Sequence, residues 1–170
     1  LMQFMDKSRV YAVDRKLIQR TAEWLIADID SSGGWQGKGS NYYAKTLQRD
    51  AYILWAMSEA GYGAELQKER DRQYDLFVKN KDPYLIALLC NSLMLAGDSR
   101  GLELIEMLIG LQKSNGGWAG AERSVSYSKG KNLVIESTAL ALLALTKSEK
   151  KYPLVAESAL NFLLKSRNQY

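Results

Sequence analysis

The sequence predicts an all-α fold of paired helices, on three observations. Apolar residues recur at helical spacing between capping and proline signals, and no stretch alternates long enough to read as a strand. The helical segments alternate in character, apolar then amphipathic. Two of them end in related corners, "DIDSSGGW" over 28–35 and "LQKSNGGW" over 111–118. Apolar inner helices shielded by amphipathic outer ones form an α/α hairpin array, either an open solenoid or a closed toroid.

Taken in order, helices are expected near 12–29, 47–60, 64–79, 83–96, 100–113, 133–147 and 153–166. The segments near 47–60, 83–96 and 133–147 are rich in Ala, Leu and Ile and are assigned inside. Those near 12–29, 64–79, 100–113 and 153–166 carry charges along one side and are assigned outside. The helix near 83–96 has the fullest set of signals. Asp82 stands at the N-cap, Pro83 lies in the first turn where a missing N–H costs little, and Gly97 stops the helix. Leu85, Leu88, Leu89, Ser92, Leu93 and Ala96 share one face, while Ile86 and Leu95 make the other side apolar too. Burial on most sides follows. Gly61 and Gly97 are expected in the left-handed conformation that closes a helix. Pro153 opens the last helix, and "RSVSY" (123–127) reads as an extended loop.

After each outer helix the chain must reverse to enter the inner layer. Gly33–Gly34 and Gly116–Gly117 allow the positive φ angles of a tight turn. Trp35 and Trp118 then fold back over the helix seam, each burying ~150–250 Å². Gln112 is placed to bond backbone groups freed at the helix end.

Composition excludes much chemistry. The chain has 170 residues, enough for one domain with a substantial core, and no apolar run reaches the ~20 residues that cross a bilayer. The net charge of +4 is scattered, without the basic stripe of a nucleic-acid surface, and "KSEKK" (147–151) reads as a solvated loop. There is no histidine and one cysteine, Cys90. Internal disulfides, multi-cysteine or histidine metal sites, Ser–His–Asp triads and Cys–His dyads are therefore ruled out. Cys90 sits mid-helix on an apolar run and reads as core. No metal, cofactor or catalytic residue is assigned. The opening "LMQFMDKSRV" has neither an initiator methionine nor a cleavage site and reads as the start of an excised fragment.

Gln112, Gly116 and Trp118 fit the pattern Gln-x-x-x-Gly-x-Trp. The pattern recurs in the α/α toroids of triterpene cyclases, prenyltransferase β subunits and the thioester domains of complement and α2-macroglobulin proteins. The wider sequence most resembles the thioester domains. "AEWLIADIDSSGGWQ" (22–36) looks like the outer helix and glycine-rich turn after that family's reactive segment. "RDAYILWAMSEAG" (49–61) and "DPYLIALLCNSLMLAGD" (82–98) look like the next inner helices, with Asp50 where the family usually has Thr. "NLVIESTALALLAL" (132–145), which includes Glu136, is the most specific match, and "ALNFLLKSRNQY" (159–170) resembles the outer helix before a terminal turn.

The resemblance implies residues 1–170 are a single domain, part of a thioester domain lacking its N-terminal reactive segment and C-terminal closing helices. The fold implied is an incomplete α/α toroid of alternating inner and outer antiparallel helices, like that of terpenoid cyclases and prenyltransferases. Its function would be scaffolding within a protease trap, non-enzymatic in itself, with target proteases and other domains of the parent as partners. No small-molecule cofactor or nucleic acid is implied. The location implied is extracellular or periplasmic, with any membrane anchor supplied by the parent, and few cysteines suit a bacterial member. An apolar edge left by missing helices would favour self-association.

The family's Cys-Gly-Glu-Gln or Cys-Leu-Glu-Gln does not occur here, since Cys90 is followed by Asn91 and Ser92. Nor does the region 37–46, with Asn41, Tyr42 and Tyr43, offer the histidine that directs some complement thioesters to hydroxyls. A parent thioester would then react mainly with amines.

Two alternatives stand beside this reading. One is a terpene cyclase- or prenyltransferase-like enzyme with Tyr52, Trp55, Tyr84 and Trp118 lining a cation-stabilising pocket. It lacks the Asp-x-Asp-Asp acid, "DID" (28–30) being nearest, and the histidine of the zinc site. The other is a helical-repeat interaction module with a concave face. Glu23 and Glu136 are the carboxylates to weigh as general acids. For Glu136 the structural account is a buried, hydrogen-bonding carboxylate near a helix start, favoured by the N-terminal dipole.

Overall fold

The computed structural model describes residues 14–36, 47–120 and 123–167. Among them are seven α-helices and no strand, so the chain is all-α as expected. The helices are α1 (Arg15–Ala27), α2 (Leu47–Glu59), α3 (Gln67–Asn80), α4 (Pro83–Leu95), α5 (Arg100–Leu111), α6 (Gly130–Lys147) and α7 (Pro153–Arg167). A 3-10 turn, Ala64–Leu66, leads into α3, where one continuous helix is expected.

Helix α4 organises the core because its sequence offers no polar face. Every residue from Pro83 to Leu93 is buried. It packs against α2, α3, α5 and α6, and α7 packs on α6. Asp82 caps it as expected, accepting the Tyr84 N–H at 3.0 Å. Cys90 is fully buried, and its thiol donates to the Gly101 carbonyl at 3.4 Å across the α4–α5 seam. That seam is tight, for a Cβ on Gly101 would lie 2.7 Å from Met94 Sδ. By contrast α1 buries only Ala22 fully, leaving Leu17 and Trp24 exposed.

The apolar helices α2, α4 and α6 meet at their C-terminal ends through polar groups. Ser58 and Ser92 share a hydrogen bond of 2.6 Å. The Lys147 ammonium donates to Glu59 Oε1 (2.6 Å) and Asn91 Oδ1 (2.8 Å), and Asn91 Nδ2 donates to the Ala87 and Leu140 carbonyls. Trp55 Nε1 also donates to Glu59. This corrects part of the solvated-loop reading of 147–151. Glu149, Lys150 and Lys151 are exposed, but Lys147 ends α6 as an ion-paired side chain and Ser148 is buried.

Helix α6 starts three residues before the expected 133 because its first turn is polar and exposed, so apolar periodicity does not register it. "RSVSY" is not extended. The Tyr127 N–H donates to the Ser124 carbonyl, the Ser124 N–H donates to that of Ser128, and Tyr127 takes a positive φ of 62°.

Candidate functional site

The two glycine–tryptophan corners follow α1 and α5 and share two backbone bonds. At the first corner the Asp30 N–H donates to the Gly34 carbonyl (2.8 Å) and the Gly33 N–H to that of Asp30 (3.0 Å). At the second, the Lys113 N–H donates to the Gly117 carbonyl (2.9 Å) and the Gly116 N–H to that of Lys113 (2.8 Å). The indole rings repeat the correspondence. Trp35 Nε1 donates to the Leu25 carbonyl at 2.9 Å, and Trp118 Nε1 to that of Leu108 at 2.6 Å. Each ring thus reaches back over the helix that precedes it, meets one of the carbonyls near the helix end, and is buried.

The paired glycines divide the work, where positive φ was expected of both. Only the first of each pair is left-handed, Gly33 at φ +74° and Gly116 at φ +89°. The second glycine gives room instead. A Cβ on Gly34 would come within 3.1 Å of Asp50 Oδ2, and one on Gly117 within 3.1 Å of Val134 and 3.2 Å of Phe162. Gly116 meets both demands, since its Cβ would lie 2.2 Å from the Ser158 carbonyl oxygen.

Side chains brace the shared frame differently. Gln112 Nε2 donates to the Gly116 and Val155 carbonyls, both at 3.1 Å, tying the second corner to α7. The Trp118 N–H donates to Thr138 Oγ1 at 3.0 Å, joining the corner to α6. In the first corner an aliphatic residue, Ile29, stands at the position of Gln112, and cations bond the carbonyls. Lys68 Nζ donates to Ser31 (3.0 Å), Arg72 Nη1 to Gly33 (3.4 Å) and Arg49 Nη2 to Trp35. Asp50 is buried beneath them, paired with Arg49 at 2.8 Å and Arg72 at 3.5 Å. Sequence pattern alone does not mark Arg49, Asp50 and Arg72 as a cluster. The "RD" at 49–50 was the available signal, with a second arginine at 72 whose approach only the fold supplies.

Glu136 belongs to neither corner. It is half-buried in the second turn of α6, which corrects the expected buried position. Its Oε2 accepts from Ser126 Oγ at 3.1 Å. Nearby, the buried Tyr84 hydroxyl accepts the Val125 N–H at 3.2 Å. Burial drives the Tyr84 pKa well above the ordinary tyrosine range, with the Glu136 charge adding to the rise. Glu23 lies on the exposed side of α1, accepting from Gln19 Nε2 at 2.9 Å. Burial also pushes the Cys90 thiol up to about 12, only partly opposed by the Lys147 charge. A group so held is no nucleophile near neutrality.

Neither models of known protein families nor curated proteins match this chain. Its chemistry rests on the geometry. Among the described residues no three His, Cys, Asp or Glu side chains are grouped to hold a metal, and no helix is long and apolar enough to cross a membrane. Of the aromatics considered for a cation-stabilising pocket, Trp118 and Tyr84 are buried in packed seams, whereas Tyr52 and Trp55 are half-buried and meet edge-on with centroids 5.7 Å apart. The segment 37–46, with Asn41, Tyr42 and Tyr43, lies outside the described residues.

Proposed function

We propose that the chain is the scaffold part of a thioester domain in an α2-macroglobulin-like endopeptidase inhibitor, folded as an incomplete α/α toroid. The observation that carries the reading is the Gln-x-x-x-Gly-x-Trp corner. Gln112 Nε2 donates there to the Gly116 carbonyl while Trp118 Nε1 reaches the Leu108 carbonyl, and the glycine–tryptophan turn, without the glutamine, recurs at Gly33, Gly34 and Trp35. The Glu136 segment strengthens it, because Thr138 of the "NLVIESTALALLAL" stretch receives the Trp118 N–H. Three apolar helices joined at their C-terminal ends, with α3, α5 and α7 packed on them, are compatible with an arc of such a ring. On this reading the helices hold a neighbouring reactive segment in place and perform no bond chemistry. The setting is extracellular or periplasmic, and the partners are proteases and the other domains of the parent.

The test uses the natural polypeptide that contains these residues. It should incorporate labelled methylamine at a Cys-x-Glu-Gln preceding Leu1, or, if that motif is absent, retain an added endopeptidase after its own cleavage. A polypeptide that does neither sinks the proposal. Co-purification of an isoprenoid would favour the cyclase-like alternative.

A further inference from the structure

We draw no further inference here: the strongest candidate, the groove of about 590 Å³ between α6 and α7 lined by Lys131, Val134, Asn161, Phe162 and Lys165, is an open flank for which nothing in the structure shows what covers it.

Discussion

Glycine at 116 and glycine at 61 have nearly the same backbone angle, φ +89° and +92°, yet different surroundings. A Cβ at 61 meets nothing within 4 Å, whereas at 116 it meets the Ser158 carbonyl at 2.2 Å. Gly61→Ala should therefore cost only the left-handed strain, about 1–2 kcal/mol. Gly116→Ala adds a backbone collision with α7 and should cost about 3 kcal/mol or more. Urea midpoints for the two variants give the comparison, and equal losses would contradict the packing described for the second corner. Cys90 makes the other prediction at this scale. An unfolded thiol ionises near ~8.5, whereas the native one is pushed up to about 12. Between those values the unfolded chain sheds a proton that the native chain keeps, so stability falls as pH rises. Below that window the thiol contributes its full share. Over pH 8 to 10.5 the wild type should lose more of its urea midpoint than Cys90→Ala, and parallel declines would show that the thiol ionises freely in the native state.

Between elements, the decisive interaction is the ion pair that links α2 to α6 beside Asn91. The Glu59 side chain is 7% exposed and that of Lys147 20%, so neither charge is hydrated as it would be at the surface. Removing Lys147 leaves the Glu59 carboxylate with Trp55 Nε1 but without its cation, which should cost about 1–3 kcal/mol. Lys147→Met should therefore be destabilising, and adding Glu59→Gln should restore part of the loss. A double-mutant cycle in denaturant reads this coupling directly. Additive effects would mean that the C-terminal ends of the helices are held by packing alone. Sequence periodicity places Lys147 at the end of a helix but gives no hint of this role, because Glu59 is 88 positions away.

For the molecule as a whole, burial falls steeply from the centre to α1. Helix α4 is enclosed along eleven consecutive positions, Pro83–Leu93, while α1 fully buries Ala22 alone. Local opening follows buried apolar contact, so amide hydrogen exchange should be slowest through α4 and fastest through α1. Native-state exchange measured residue by residue tests this gradient. Uniform protection across both helices would mean that α1 is held by contacts other than those described.

The seven helices, the Asp82 cap, the burial of Cys90 and α4, and the two corners are legible in the order of the amino acids. These features are written in local chemistry: periodicity, capping side chains, glycine's access to positive φ, and an indole placed next to a turn. The tertiary structure decided which glycine of each pair turns and which makes room, because room depends on Asp50, Val134 and Phe162 arriving from other helices. It also decided that Lys147 joins a part-buried ion pair and that Glu136 stays half-exposed. A residue's own conformational preferences act over a few neighbours. The partners of a charge or a close contact are set only when distant segments pack together.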